Sequence, residues 1–338
     1  MTKFNIVRTD PIPYKDRILE FWDEYLPGTA RGRFDWMKDN PAGPAHWFLA
    51  FEEKSGELSG MISVMPHHLF LDGRIVRAGI MGDLMVRSKD RAFGPGITLP
   101  KMVVSRLSEM NLDVIYTIPN PGAQKVMENC GFQEAMVLKH MVKPVSTRYY
   151  LAKSLPGSIA RLAAPICDTL AVLIARETYY DRPENVAEEA SVDLSFDDLW
   201  EEVRSQYRGV IGDHRAEYLQ WRYFENPQFK FRLITCRGKN SALLGYLFFS
   251  MGEGKLGIYD ILVKEKLLAL LLLRELSSVA RREGCQAMYL RVSANNPLFR
   301  LLPRCLFMDG RDDAKVLFVR ADAISLGDWF FLSGDRNI

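Results

Sequence analysis

Two glycines, Gly94 and Gly96, stand where a strand-like stretch gives way to a helical one. Residues 78–86 form an apolar run, and from Leu99 onward apolar residues recur with helical spacing. Glycine lets the backbone approach a ligand closely, and the free N–H groups and dipole at a helix start favour an anion. Residues 91–97, the glycine loop, therefore predict a phosphate site, although such a glycine pair is more often an ordinary turn.

The residues that follow the glycine loop strengthen this prediction. A second strand-like stretch, residues 112–118, leads into Asn120 and a short helical segment that ends at Gly131 and Phe132. The glycine loop resembles the acyl-CoA pyrophosphate loop of the GCN5-related N-acetyltransferases (GNATs), and Asn120-x-x-Ala123 followed by Gly131-Phe132 resembles their second motif. The two motifs occur in the expected order and in a strand-loop-helix-strand context, which a chance match rarely satisfies.

The resemblance implies an acyl-CoA co-substrate, acetyl-CoA, and no metal ion. It also implies that the strand edge before the glycine loop holds the pantetheine arm. On this basis the cofactor-binding residues are Leu84, Met85, Val86, Arg91, Ala92, Phe93, Gly94, Pro95, Gly96, Ile97, Asn120 and Ala123.

Transfer of an acyl group to an amine also needs a base that removes a proton from the amine. A carboxylate partly removed from water becomes a stronger base, and Asp83 lies at the end of the strand before the glycine loop. Asp83 could equally hydrogen-bond a β-bulge or bind the charge of the amine. His67 and His68 are the second candidates for the base.

The general acid departs from the family pattern. Many members have a tyrosine seven positions after the asparagine, where this chain has Met127, which cannot protonate the departing thiolate. Tyr116, on the preceding strand, is the candidate substitute, and the alternative is that the thiolate leaves without assistance.

The second half of the chain repeats the first in outline. Trp221 lies in a segment that echoes the one around Trp36, and Asn295 lies 175 positions after Asn120. These parallels favour an internal duplication. The repeat favours a structural anchor for the Trp221 segment over a role in gripping a sugar. The glycine loop is not repeated, because residues 264–266 are Lys-Glu-Lys.

The order of elements predicts an α+β protein of two tandem GNAT-like domains, each a mixed, mostly antiparallel twisted sheet flanked by helices. Residues 1–150 are expected to be the acyl-CoA-binding domain, residues 151–188 a linker helix, and residues 189–338 a second, degenerate domain. One acyl-CoA per chain follows from the single glycine loop.

Residues 155–180 carry an apolar stripe with helical spacing. The favoured interpretation is a helix packed between two domains, and the alternative is an amphipathic helix on a membrane surface. Pro165 interrupts the stripe, and Arg161 and Asp168 add charges to it. No apolar run in the chain reaches the length needed to span a bilayer, so no spanning segment is expected.

Composition and charge limit the partners. The chain has 44 basic and 42 acidic residues among 338, so no net field attracts nucleic acid. Its five cysteines lack metal-site spacing, and reduced thiols in a cytoplasmic protein explain them best. The oligomeric state is left open.

Together these features predict a cytoplasmic enzyme that moves an acetyl group from acetyl-CoA to a primary amine. A weaker resemblance of the Trp221 segment to bacterial tandem acetyltransferases of envelope polysaccharide favours an amino sugar or similar precursor as acceptor. The alternatives are an aminoacyl transferase of the Fem type, which uses charged tRNA, and a non-catalytic acyl-CoA-binding protein. The near-neutral charge and the glycine loop argue against the Fem type.

Overall fold

The computed structural model describes residues 3–91, 94–181, 184–320 and 328–337. Its strands are β1 Phe4–Thr9, β2 His46–Glu52, β3 Leu58–Leu71, β4 Arg74–Val86, β5 Val114–Thr117, β6 Gln133–Pro144, β7 Asn185–Glu189, β8 Val210–Gly212, β9 Phe231–Arg237, β10 Leu243–Gly252, β11 Lys255–Val263, β12 Ala287–Ser293, β13 Met308–Asp309, β14 Ala314–Arg320 and β15 Trp329–Phe330. Its α-helices are α1 Lys15–Tyr25, α2 Arg33–Lys38, α3 Pro95–Ser105, α4 Pro121–Asn129, α5 Arg148–Leu151, α6 Gly157–Ile174, α7 Ser195–Gln206, α8 Ala216–Leu219 and α9 Ala269–Arg282.

All of these strands belong to one sheet. Its main path runs β1-β2-β3-β4-β5-β14-β6-β12-β11-β10-β9-β7, while β13 lies beside β6, and β8 joins β3 to β15. The pairs β4–β5 and β11–β12 are parallel, whereas most other pairs are antiparallel. The α+β class with a mixed, mostly antiparallel sheet is therefore confirmed.

The two halves exchange their last strands. β14 comes from the second half but pairs with β5 of the first, and β6 comes from the first half but pairs with β12 of the second. β14 and β6 then pair with each other, which makes the sheet continuous. The domain limits at residues 150 and 189 stay a prediction, because the hydrogen bonding of the sheet runs through both halves.

Helices cover both faces of the first half of the sheet. Trp22 and Ile18 on α1 pack with Trp47 of β2 on one face. Leu99 and Val103 on α3 pack on the opposite face. The helix α2 forms because its apolar side chains are buried in the core with α1.

Repeat-related tryptophans join the two halves. The rings of Trp36 and Trp221 stack with centroids 4.3 Å apart and planes 5° apart. Each indole Nε1 donates a hydrogen bond of 2.9 Å to the backbone oxygen of the other tryptophan. Both side chains are buried, so these reciprocal bonds satisfy polar groups that would otherwise be costly to remove from water. The structural-anchor interpretation of Trp221 is confirmed.

Candidate functional site

The central feature of the first half is the place where β4 and β5 part. Their parallel pairing is short, because only residues 78–80 of β4 pair with residues 114–116 of β5. β4 then continues to Val86, whereas β5 ends at Thr117. A cavity of about 530 Å³ lies beside the diverging ends, with Leu84, Met85, Asn120 and Ala123 among its lining residues. Within the part of the chain that the structure describes, no strand pairs with this edge of β4 beyond Ile80, so its backbone groups are available to a ligand.

A β-bulge deforms β4 beside this cavity. The pairing of β3 with β4 shifts between Met61 and Ser63, which face Met85 and Gly82. Asp83 lies within the shift and adopts a left-handed backbone with a φ of 53°. That conformation is uncommon for a residue other than glycine and is often found at functional sites.

The carboxylate of Asp83 has several partners. Nη1 of Arg33 donates to its two oxygens at 3.0 and 3.1 Å, and Ser63 Oγ donates to Oδ2 at 2.6 Å. The side chains of Arg33 and Asp83 are only 6% and 3% exposed, so this ion pair is buried. Arg33 Nη2 also donates to the Oδ1 atom of Asn337 at 2.8 Å. Asp83 is thus held in the cavity wall, and it would have to exchange one of these donors before it accepts a proton.

Tyr116 also lines the cavity, but its hydroxyl is engaged. The OH group donates to the backbone oxygen of Asp335 at 2.9 Å, and the ring packs against Trp329 and Phe331. Burial raises the pKa of Tyr116 well above 10. To protonate a thiolate, this hydroxyl would first have to leave Asp335.

The glycine loop leads directly into α3. Gly94 is extended, with a φ of −177°, and α3 begins at Pro95. Among the described residues, a Cβ atom on Gly94 would lie 2.6 Å from the Phe4 ring, whereas one on Gly96 would have no neighbour nearer than 3.7 Å. Neither glycine has a positive φ, so the backbone conformation alone would not strain a side chain at either position. Free space at Gly96 leaves room for an anion beside the helix start.

Other predicted cofactor residues have local contacts of their own. The Nε atom of Arg91 donates to the Val86 backbone oxygen at 3.2 Å, which fixes the arginine beside the end of β4. Asn120 is the N-cap of α4, since its Oδ1 accepts from Ala123 N at 2.9 Å. Two predicted loop residues, Ala92 and Phe93, lie outside the described part of the chain.

The second candidates for the base lie elsewhere. Neither His67 nor His68 is among the residues lining this cavity. His67 is buried, and burial lowers its pKa to about 3. The Nδ1 atom of His68 lies 3.0 Å from Nη2 of Arg215 and 3.6 Å from Oδ2 of Asp213. The structure brings neither histidine to the strand ends.

Several lining residues come from parts of the chain that sequence reasoning left unassigned. Arg33 follows a surface loop, and Gln228, Tyr259 and Asn337 belong to the second half. Gln228 fastens that loop, because its side chain accepts from Ala30 N at 2.6 Å and donates to Gly28 O at 2.9 Å. No local sequence signal connects these residues to the site, because Gln228 and its partner Gly28 lie 200 positions apart in the chain.

The equivalent opening in the second half is filled. β11 and β12 pair in parallel only through Ile258 and Leu290, as β4 and β5 do. The C-terminal segment, residues 329–335, then lies along β12: Leu332 bridges to Val292, and Ser293 N donates to Phe331 O at 3.1 Å. An all-apolar cavity there has a volume of only about 10 Å³. The chain itself occupies the second opening.

A buried arginine fixes the C-terminal segment between the two openings. Arg222 is fully buried, and its Nε and Nη2 atoms donate to Gly334 O at 3.1 and 2.7 Å. Nη2 also donates to the backbone oxygen of Arg336. The next residue, Asn337, reaches the first opening, where a Cβ atom on Gly82 would lie 1.7 Å from its Nδ2 atom. The segment that fills one opening therefore forms part of the wall of the other.

Comparisons with known proteins identify the fold. No protein-family model matches the sequence, and no curated protein matches it. Among solved structures, a GCN5-related N-acetyltransferase from Anabaena variabilis ATCC 29413 is similar, with a TM-score of 0.65 and 11% identity over 95% of this chain and 73% of that one. A probable N-acyltransferase from Enterococcus faecalis V583 has a TM-score of 0.66 and 10% identity, covering 94% and 73%.

A eukaryotic enzyme is similar as well. The Saccharomyces cerevisiae N-myristoyltransferase, solved with bound myristoyl-CoA, has a TM-score of 0.63 and 13% identity over 94% of this chain and 83% of that one. At these identities the likeness establishes the fold. All three structures extend over both halves of the chain, so the whole two-part arrangement, rather than one half of it, is shared.

Proposed function

We propose that this chain, which has the GNAT fold, is an acyl-CoA-dependent N-acyltransferase that moves an acetyl group from acetyl-CoA to a primary amine. The observation that carries the proposal is the parting of β4 and β5, with α3, the next α-helix after β4, beginning at a pair of glycines. A strand edge without a partner and a helix start, side by side, suit a ligand that is both amide-rich and anionic.

The parts of acyl-CoA correspond to these two features. The pantetheine arm carries amide groups, which can hydrogen-bond to the open edge of β4 over residues 84–86 as a further strand would. The pyrophosphate would bind at the start of α3, where Gly96 leaves open space. Arg91 adds a positive charge near the same helix start. The thioester would then reach the bulge at Asp83.

The proposed reaction is attack by the amine nitrogen on the thioester carbonyl carbon. A C–N bond forms, the C–S bond breaks, the amine loses a proton, and CoA leaves as thiolate. We propose Asp83 as the acceptor of that proton, once the incoming amine takes the place of Ser63 or Arg33 as its partner. The thiolate is a good leaving group, and Tyr116 is the group that could assist its departure.

The wall opposite β4 suggests the acceptor. Phe229 and Tyr259 of the second half line the cavity, and aromatic side chains there suit the face of a sugar ring. We therefore propose an amino sugar or a similar envelope precursor as acceptor. We also propose a cytoplasmic location, which the free thiols of all five cysteines support.

A second candidate function is binding of acyl-CoA without turnover. The observation in its favour is that both candidate catalytic groups already have intramolecular partners, Asp83 with Arg33 and Tyr116 with the Asp335 oxygen. A protein of this kind would hold acyl-CoA in the same cavity but would not release CoA when amines are added.

The test is CoA release from acetyl-CoA in the presence of a panel of amines that contains amino sugars, alkylamines, amino acids and peptides. The proposal predicts amine-dependent release with a preference for amino sugars. Tight acetyl-CoA binding without release by any amine would favour the binding protein, and transfer from aminoacyl-tRNA in the absence of acyl-CoA would favour the Fem type.

A further inference from the structure

The helix α6 presents its large apolar side chains outward. Ile159, Leu162, Ile166, Leu170 and Leu173 follow each other at intervals of three or four residues, so they lie on one face. Each of these side chains is more than half exposed, and Leu162 is 77% exposed. Contiguous aliphatic surface of this kind is rare on a soluble monomer and marks an interaction site.

The inward face of α6 carries small residues instead. Ala160 and Ala164 are its buried residues, and Cys167 and Ala171 continue their row. The Asp168 carboxylate accepts from Thr147 N at 2.7 Å and ties the helix to the chain before it. A helix packed between two domains would bury its large residues, so that interpretation of residues 155–180 is wrong. Spacing alone could not reveal it, because a stripe looks the same whether it faces a core or solvent.

The length of α6 also differs from expectation. Its 18 residues are long and apolar enough to cross a membrane, and only 11% of them are buried. The expectation that no apolar run reaches this length is wrong, and the Asp168 side chain within α6 is turned toward the protein. Both ends of α6 nevertheless return to the same sheet, since β6 pairs with β12 before it and β7 pairs with β9 after it. The helix therefore lies along the body of the protein.

Among residues 148–180, the exposed charged side chains are all basic. Arg148, Lys153, Arg161 and Arg176 are all exposed. The acidic residues of the same stretch face inward: Asp168 bonds to Thr147, and Glu177 is buried and paired with Lys143. The nearest exposed acidic residue in the chain, Asp181, lies just after this stretch and is paired with Arg274. Basic residues beside an aliphatic face are complementary to a negatively charged lipid surface.

Tyrosines stand at both ends of this face. Tyr149 is 49% exposed and Tyr179 is 68% exposed. Tyrosine has an apolar ring and a polar tip, which suit the boundary between lipid headgroups and acyl chains. A protein interface would instead be expected to have polar partners and aromatic anchors at its centre.

We propose that the outward face of α6 binds the surface of an anionic lipid bilayer, with the helix lying in the plane of the headgroups. The aliphatic side chains enter the boundary of the acyl chains, and the basic residues contact lipid phosphates. This proposal does not depend on the proposed acyltransferase activity. It would bring the protein to lipid-linked or membrane-bound acceptors, whatever reaction it performs.

The first experiment measures partition of the full chain onto phosphatidylcholine vesicles made with or without phosphatidylglycerol. Binding is expected with phosphatidylglycerol, and salt should weaken it. Leu162→Glu should lower partition about tenfold or more, because a carboxylate then occupies the inserted face. Leu194→Glu is the matched control, since Leu194 is 81% exposed but lies before α7, and it should bind as the parent does.

The second experiment separates charge from apolar contact. The double variant Lys153→Gln with Arg161→Gln should lose about tenfold or more in binding to anionic vesicles, because both basic side chains attract the negatively charged lipid surface. Its weak binding to pure phosphatidylcholine should stay the same. Lys239→Gln with Arg304→Gln removes two exposed charges elsewhere and should leave both unchanged.

Three results would overturn the proposal. One is that the folded parent does not bind anionic vesicles. Another is that light scattering shows a dimer that Leu162→Glu dissociates, since a second copy would then cover the face. The third is that membrane-bound protein resists extraction by alkaline carbonate, which would indicate a spanning helix and not a surface one.

Discussion

Each half of the sheet opens where two parallel strands diverge, but one opening contains a cavity and the other contains the C-terminal segment. In the first half, β4 and β5 part around a cavity of about 530 Å³. In the second half, β11 and β12 part around the C-terminal segment, which leaves about 10 Å³. At the position 175 residues after Ala123 stands Leu298, a larger side chain that helps to line the filled opening.

The two halves therefore use equivalent openings of the sheet in different ways. The copy with the glycine loop keeps an open strand edge, where we propose that acyl-CoA binds, while the opening of the other copy holds the C-terminal segment. Because the segment continues from Leu332 to Asn337, fixing it in the second half also places Asn337 beside Arg33 in the first. Attachment of the segment in the second half therefore holds part of the wall of the first opening in place.

The largest expected effect is on the filled opening. Leu332 is 1% exposed, and Leu332→Ala should lower the free energy of unfolding by about 3 kcal/mol because it leaves a cavity. Denaturant unfolding measures this loss. Leu194→Ala, at an exposed leucine, should change it by less than about 0.5 kcal/mol. A loss for Leu332→Ala as small as that of its control would mean that the segment is only loosely attached.

The next effect concerns the open side. Gly96→Val should weaken acetyl-CoA binding on the order of a hundredfold, because the side chain fills the space that the pyrophosphate would occupy. The free protein has room for it, so the fold should be preserved. Gly157→Val, the same change at the start of α6, should bind as the parent does. Equal acetyl-CoA affinities for the two variants would mean that the glycine loop is only a turn and does not bind the pyrophosphate.

A third prediction concerns the chemistry. Asp83→Asn should lower kcat about tenfold or more and change acetyl-CoA affinity little, because its proposed partner is the amine. Loss of the acidic limb of the pH–rate profile would accompany a role as base. If kcat and affinity fall together while the profile keeps its shape, Asp83 holds Arg33 and Asn337 in position and takes no proton.

The smallest effect is on the pH dependence of stability. Burial and the nearby Asp260 raise the pKa of Asp335 from 3.8 to about 7, while His214 and Arg222 act against this shift. A raised carboxyl pKa makes the folded state lose stability as pH rises from about 4 to about 7. Asp335→Asn should therefore gain stability relative to the parent over that interval.

The expected gain from Asp335→Asn is about 1 kcal/mol, because the variant also loses the attraction of the carboxylate for His214 and Arg222. Thermal unfolding followed at several pH values measures it. A difference between variant and parent that stays constant with pH would mean that Asp335 is ionised throughout and that its surroundings, not its protonation, decide its effect.

Much of the fold could be predicted from local patterns. The strand before the glycine loop, the helix after it and the short helix that follows Asn120 each depend on neighbouring residues, and each is found where the sequence indicates. The exchange of β6 and β14 could not be predicted, because both strands have suitable patterns for either neighbour and only long-range pairing decides between them.

The site was harder to predict than the fold. Asp83 and Tyr116 do line the cavity, but their partners Arg33 and the Asp335 oxygen lie 50 and 219 positions away. The C-terminal segment has no counterpart in the first half, so the repeat gave no sign that it fills an opening. The outward face of α6 was only the alternative interpretation of residues 155–180, since periodicity does not tell which side of a helix faces the protein.

The most direct test of the account is a structure of the full chain with bound acetyl-CoA. We expect one molecule per chain, with its pyrophosphate at the start of α3, its pantetheine arm along residues 84–86 of β4, and the C-terminal segment still between β11 and β12. Acetyl-CoA bound between β11 and β12 in place of that segment would contradict the division between the two halves. So would acetyl-CoA in the cavity of about 800 Å³ beside β1, with the space between β4 and β5 left empty.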